Sequence, residues 1–224
     1  MAVLPLPSSF LPSLKNYTHK LFCDARTEKI SLIPLTTTKP PRTPPRPILQ
    51  LGHSVIRPYS EDDVECLAKE ANNPKIAQWM RNSFPHPYTT SDAEKWISIT
   101  TTSASPLRDF AICRLDNTTA VIGGIGLKTR DDIHYRTMEL GYWLGEDHWR
   151  RGIASEAVSA FAEWAFDHFE KLVRLEAEVF DGNAASARVL EKAGFELEGR
   201  RRMAVEKSGT VMDALVYCMF RRET

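Results

Sequence analysis

The sequence predicts an α/β (α+β) domain with one central mixed, mostly antiparallel sheet flanked by helices. Three observations carry that expectation. Three strand-like runs, Asp109 to Leu115, Ala120 to Lys128 and Thr137 to Leu144, are separated by short polar turns, the mark of an antiparallel meander. A long run from Ile153 to Phe169 then places Ala154, Ala157, Val158, Phe161, Ala165 and Phe169 at helical spacing. A further strand-like run, Val173 to Phe180, follows directly. Strand, helix and strand in succession imply a parallel pair with a crossover helix.

The other elements follow in chain order. Residues 1–50 hold nine of the 14 prolines and none of the 11 glycines, with seven Lys/Arg against two Asp/Glu. Proline fixes φ and removes a donor, so Lys39 to Pro47 (KPPRTPPRP) reads as an extended linker, and 1–50 as an extension before a domain at 51–224. Residues 13–22 suit a short helix. HSVIRP, from His53, reads as a strand ended by Pro58. Ser60 caps a helix through about Asn72, with Glu61, Asp62 and Asp63 at its positive end. Asn73-Pro74 breaks it, and Pro85 to Thr89 is a loop. Thr90 or Ser91 caps a second helix, Asp92 to Ser103. After the strand at 173–180, Asp181-Gly182 turns the chain, Asn183 caps a helix through Ala193, and Gly194 stops it. Two final strands, Phe195 to Glu206 and Thr210 to Phe220, meet at Lys207-Ser208-Gly209. The order is β-α-α-β-β-β-α-β-α-β-β.

Composition narrows the function. The chain has 224 residues, with Lys+Arg and Asp+Glu both 29. A neutral balance argues against a dedicated nucleic-acid binder. No apolar run reaches the roughly 18 residues that span a bilayer. Cys23, Cys66, Cys113 and Cys218 are widely spaced without a C-x-x-C pair, which speaks against a zinc knuckle or disulfide framework and for a reducing compartment such as the cytoplasm. Lys15, Lys20, Arg26 and Lys29 would suit a mitochondrial transit peptide, but Asp24 and Glu28 do not, and a variable tail is the plainer reading. The six histidines show no metal spacing, so no metal site is expected.

The chemistry lies in Glu139 to Ser155, ELGYWLGEDHWRRGIAS: a strand, a short loop and the start of a long helix. Helix N-termini carry unpaired N–H groups and partial positive charge. Gly152 lets backbone approach a phosphate, and Arg150 and Arg151 add charge, which together predict a diphosphate cradle. A plain strand-to-helix turn with two solvated arginines reads equally well from these residues alone.

A second stretch, NAASARVLEKAGFELEG at 183–199, tips the balance. Together the two resemble the GNAT superfamily of acyl-CoA-dependent N-acyltransferases. W-R-R-G-I-A occupies the position of its R/Q-x-x-G-x-G/A motif, and N-x-x-S-x-x-x-L-E-K-x-G-F that of its second CoA motif. Within the superfamily the chain looks most like the ribosomal-protein-alanine acetyltransferase branch, which shares an I-R-P strand (Ile56 to Pro58), a P-x-P-Y-T loop (Pro85 to Thr89), a D-A-x-x-W-I helix (Asp92 to Ile97) and G-Y-W-L before the cradle. The resemblance covers about residues 53–222.

It implies acetyl transfer from acetyl-CoA, as co-substrate, to an amine acceptor. It further implies that Tyr142, Trp143 and Leu144 offer main chain to the pantetheine arm, that Arg150, Arg151, Gly152, Ile153, Ala154 and Ser155 hold the diphosphate, and that Asn183 and Ser186 lie near pantetheine and thioester. Tyr142 to Leu144 suit a core equally well. An amine attacks only when unprotonated, so a carboxylate or an ordered water takes its proton. Glu139, opening the strand toward the cradle, is the leading candidate; a strand glutamate paired with an arginine is the alternative. Glu206 is the weaker candidate. Many relatives protonate the departing thiolate with a tyrosine where this chain has Leu190. In the nearer branch a serine at the Ser186 position serves, although a first-turn helix hydroxyl is an ordinary feature. Trp149 stands where many relatives have Arg or Gln, a change main-chain donors tolerate. His86 between prolines could face substrate, although a loop histidine is usually solvated, and the Arg200-Arg201-Arg202 run reads as a strand edge, with attraction of an acidic or RNA-associated partner as the alternative. The rival functional reading is an acyl-CoA-binding module that has lost catalysis, which Leu190 favours. The loops before residue 92 and between 199 and 213 are expected to shape the acceptor pocket.

Overall fold

The computed structural model describes residues 43–102 and 106–222; the expected helix at 13–22 and the first part of the linker, 39–42, lie outside them. An eight-stranded sheet runs in the order β1-β2-β3-β4-β5-β6-β8-β7. Its strands are β1 (Leu49–Gln50), β2 (Ser54–Pro58), β3 (Asp109–Arg114), β4 (Val121–Thr129), β5 (Thr137–Leu144), β6 (Arg174–Phe180), β7 (Glu196–Lys207) and β8 (Thr210–Phe220). Every neighbouring pair is antiparallel except β5 and β6, which are parallel and joined through helix α4 (Ile153–His168). The crossover expected from the sequence is therefore present.

Period-2 alternation assigns the two faces of the sheet. Phe110 and Ile112 of β3 join the core under α4, with Phe161, Ala157 and Leu175. Ala111 and Cys113 join a second core under α1 (Val64–Ala71) and α3 (Thr90–Thr102), with Leu67, Ile97 and Tyr59. Helix α5 (Ala184–Ala193) adds Leu190 and Ala193 to the first core, and Leu190 is fully buried.

Several elements correct the expected order. Leu49–Gln50 pairs with Val55 and Ile56, so the sheet starts one short strand earlier, inside the stretch read as extension. Ser60 initiates a 3-10 turn, Glu61–Asp63, through a capping box with Asp63, and the α-helix begins only at Val64. Asp63 also holds Arg57 of β2 in a two-pronged, buried ion pair (2.8 and 2.7 Å), which sets this entry angle. Asn73-Pro74 starts a helix as well as ending one: Asn73 Oδ1 accepts from Lys75 N–H, and Pro74 occupies the first turn of α2 (Pro74–Ala77), where a missing donor costs nothing. The cap of α3 is Thr89 rather than Thr90 or Ser91. Its hydroxyl accepts from Asp92 N–H while the Asp92 carboxylate accepts from Thr89 N–H, a reciprocal box.

Candidate active site

The parallel pair opens like a wedge. β5 and β6 are in register only from Thr137 with Arg174 to Glu139 with Glu176. Beyond that point β5 stays paired with β4 as far as Leu144, and β6 with β8 as far as Phe180. The two strands thus splay from a vertex at Glu139, leaving a cleft in the sheet. Arg136 carbonyl accepts from Val173 N–H on one side of β5, and Gly145 N–H donates to Ile122 carbonyl on the other. Main-chain polar groups alternate sides along a strand, so those of Tyr142 and Leu144 face the cleft and those of Trp143 face β4. Trp143 turns its indole to the other sheet face, edge-on to Phe84. The Leu144 carbonyl is taken by Trp149 Nε1–H at 2.7 Å; the residue that departs from the family pattern thereby closes the end of β5.

The cleft leads to the start of α4. Gly152 is its N-cap, at φ 79° and ψ −12°, and no side chain caps the helix. Arg150 also has positive φ, at 60°. Arg150, Arg151 and Gly152 are exposed, and a Cβ on Gly152 would meet nothing within 4 Å. Ile153 is buried and anchors the turn, while Ala154 and Ser155 are half-buried. The acid of this first turn, Glu156, is directed elsewhere: it accepts from Gly52 N–H (2.8 Å) and His53 N–H (3.0 Å). The leading amides of α4 are therefore left facing outward, as an anion site requires.

On the same sheet face as α4, Tyr142 reaches across to α5. Its hydroxyl lies 2.8 Å from Ser186 Oγ and donates at 3.2 Å to the Ser186 carbonyl. Burial pushes the Tyr142 phenol up to about 12, so it is a neutral donor at any physiological pH. Ser186 is fixed in turn by Asn183, whose Oδ1 accepts Ser186 N–H at 3.2 Å. The sequence marks Tyr142 only through its main chain; the alternation of β5 sends its side chain to the α4 face, and the contact with Ser186 forms only in the folded protein.

The opposite face carries charge. Glu139, 14% exposed, accepts from Arg81 at 2.5 Å and has Arg130 at 3.8 Å, the arginine pairing that was the alternative reading of this residue. Arg130 also pairs with Glu176, and Arg201 with Glu178. A cavity of about 270 Å³ is lined by Met80, Arg81 and Asn82, by Val205, Glu206 and Lys207, and by Glu178 and Phe180 of β6; the first six come from the two segments expected to shape an acceptor pocket. Arg200 of the basic run is paired with Asp181 and Asp213. Cys66, Cys113 and Cys218 are free thiols. Among the described residues no His/Cys/Asp/Glu group is arranged to hold a metal, and no helix is long and apolar enough to cross a membrane.

Comparison with known proteins agrees with this architecture. Residues 54–196 match the family model of the acetyltransferase (GNAT) domain. The uncharacterized N-acetyltransferase YoaA of Bacillus subtilis is 31% identical over 180 residues, 78% of this chain and 97% of the relative. The ribosomal-protein-S5-alanine acetyltransferase of Vibrio fischeri superposes with a TM-score of 0.65 at 20% identity, covering 77% of this chain and 95% of that one. RimL, a ribosomal L7/L12 alpha-N-protein acetyltransferase solved with coenzyme A, superposes with a TM-score of 0.67 at 18% identity, covering 78% and 98%. At such identities the two structures speak for the fold alone, while the sequence matches speak for the family: the chain belongs to the GNAT acetyltransferases.

Proposed function

We propose that this acetyltransferase moves the acetyl group of acetyl-CoA to a primary amine, either a protein N-terminus or a small molecule, by direct attack in a ternary complex. The single observation that carries this reading is the wedge between β5 and β6, which ends at an uncapped, exposed helix start. Main chain of Tyr142 and the N–H of Leu144 bond the pantetheine arm as a strand would, and Trp143 holds β5 in place between β4 and Phe84. The amides of Gly152, Ile153, Ala154 and Ser155 receive the diphosphate, with Arg150 and Arg151 adding charge. The thioester then lies toward the vertex, between Glu139 on one sheet face and the Asn183–Ser186 turn on the other.

The amine nitrogen attacks the thioester carbonyl carbon, the C–N bond forms, and the C–S bond breaks with its electron pair on sulfur. Glu139, directly or through a water, takes the amine proton. Ser186, held by Tyr142, offers its hydroxyl to the departing thiolate, the place that Leu190 cannot fill. Three free thiols fit a cytoplasmic setting.

The test measures CoA binding and thiol release separately. CoA should raise the melting temperature, and acetyl-CoA with a panel of amines and N-terminal peptides should release thiol. Glu139→Gln should lower kcat by about 100-fold, the usual scale for a general base, with CoA affinity unchanged. CoA binding without thiol release from any acceptor would indicate the silent module instead.

A further inference from the structure

Three glycines strip one sheet face of side chains beside the vertex. Gly124 pairs with Trp143, and Gly126 pairs with Gly141. They share the face of Glu139, since 139, 141 and 143 alternate with the core residues Leu140, Tyr142 and Leu144. A Cβ on Gly141 would meet nothing within 4 Å, so open space stands over it. A Cβ on Gly126 would fall 2.2 Å from Asp109 Oδ1. The Asp109 carboxylate thus lies over Gly126, across from the open ground above Gly141. Directly paired residues of an antiparallel ladder sit about 5 Å apart, within the reach of one small amine.

Asp109 differs from the other carboxylates of this face. Glu139, Glu176 and Glu178 each have an arginine, and Glu206 stands exposed at the far rim. Asp109 is half-buried, and its carboxylate makes no hydrogen bond or ion pair with any described residue. The charged and titratable groups that face it are Arg108 beside it, Lys128 of β4 and the buried Tyr59 hydroxyl. Burial holds its carboxyl above the usual range, against the pull of Arg108 and Lys128. An unpaired carboxylate in a low-dielectric place is costly unless a cation arrives. An amine acceptor arrives as an ammonium ion.

We propose that Asp109 is the acceptor-binding carboxylate of this enzyme, receiving the ammonium group over the Gly126–Gly141 floor before it reaches the thioester. This rests on the acetyl-transfer reading above. Asp109 holds the cation at the entrance, Glu139 stands at the vertex where the proton leaves, and the face favours cationic amines over neutral or acidic acceptors.

The experiment uses the full chain, acetyl-CoA, and two probes: a tripeptide with a free N-terminal alanine, and 1,4-diaminobutane. Asp109→Asn should raise the acceptor KM about tenfold or more, the scale of one charge-assisted contact, with kcat within about threefold and CoA affinity unchanged. It should also raise the melting temperature, because a buried unpaired charge is removed; a merely structural carboxylate would give a loss. Gly141→Ala, whose new methyl meets open space, should fold normally and raise the same KM. An unchanged acceptor KM in both variants, with wild-type turnover intact, overturns the assignment alone. CoA binding with no thiol release from either probe in the wild type overturns both the acetyl-transfer reading and this one.

Discussion

On the α4–α5 flank of the wedge, the proposed CoA site is built from main chain: strand amides at Tyr142 and Leu144, helix amides from Gly152 onward, and the turn capped by Asn183. On the α1–α3 flank they are side chains: Glu139, Asp109, Arg81 and Arg130, drawn from β5, β3, the segment after α2 and the end of β4. The first flank needs only a strand, a glycine and a helix start in the right order. The second needs four segments to fold before any group meets its neighbour. The difference shows that a backbone-built site is fixed by local chain geometry, whereas a side-chain-built site exists only in the tertiary structure.

The largest effect expected from this contrast follows from Gly152→Val. Its φ of 79° lies in the left-handed region, which a β-branched residue adopts only at a cost of about 1–2 kcal/mol. The added side chain also stands in the proposed path of the diphosphate. CoA affinity should fall about 100-fold, roughly 2.7 kcal/mol. Replacing Arg150 and Arg151 together with alanine should cost under about tenfold, and chiefly at low salt, because both are exposed and screened. Calorimetric titration at two salt concentrations separates the two. A larger loss in the double arginine variant would mean that side-chain charge, not main chain, grips the phosphates.

A smaller effect sharpens the contrast at Ser186 and Tyr142, the side chains proposed to act on the backbone-built flank. Ser186→Ala should lower kcat about tenfold, and Tyr142→Phe several-fold, the usual scale of a single lost hydrogen bond. Both should leave acceptor KM unchanged, since Ser186 and Tyr142 lie on the sheet face away from Asp109. Thiol release at saturating acetyl-CoA and peptide reads this directly. Equal losses in kcat and a raised acceptor KM would place these hydroxyls on the acceptor side and undo the division of roles.

The same contrast explains what the sequence disclosed. The crossover, the meander, the glycine turn at Arg150–Gly152 and the cap at Asn183 are encoded by residues adjacent in the chain, through spacing, glycine and capping chemistry. Glu139 was visible because it opens the strand that carries the cradle. Its partners were not: Arg81 is 58 positions away, and nothing near it marks a contact with β5. Asp109 reads in the sequence as the first residue of an ordinary strand, and its importance depends on Gly126, which is opposite it only in the folded sheet. The Pro74 helix start is ambiguous in the sequence for a local reason, because Asn-Pro both ends one helix and begins another.

Proton linkage gives a third, still smaller signature on the side-chain flank. Burial raises the Asp109 carboxyl in the folded protein above its unfolded value, so between those values the native state binds more protons than the unfolded one. Stability contributed by this group therefore falls as pH rises through that window. The stability advantage of Asp109→Asn should accordingly be small near pH 4 and reach its full size once pH exceeds the raised value. Urea unfolding of both proteins across that range tests the sign; an advantage that shrinks with rising pH would mean the carboxylate is stabilised as an anion.

The smallest expected effect concerns Glu156, which decides how the backbone-built flank stays open. A glutamate in the first turn of a helix ordinarily favours its own N-terminus. Here it ties α4 to the β1–β2 turn instead, and although burial raises its carboxyl, the donors at Gly52 and His53 outweigh that and hold it below the usual range. A lowered folded value means this stabilisation is present above the ordinary glutamate range and is lost as pH falls through the lowered one. Glu156→Gln keeps one acceptor oxygen and turns an N–H₂ group toward the second donor, so it should cost about 1 kcal/mol, a melting shift of about 2–4 °C at this chain length. CoA affinity should stay within twofold, because the carboxylate never occupied the helix start. A CoA affinity that instead rises on removing the charge would show that Glu156 competes with the diphosphate for the α4 amides, and the cradle would then owe its vacancy to a movable side chain rather than to the fold.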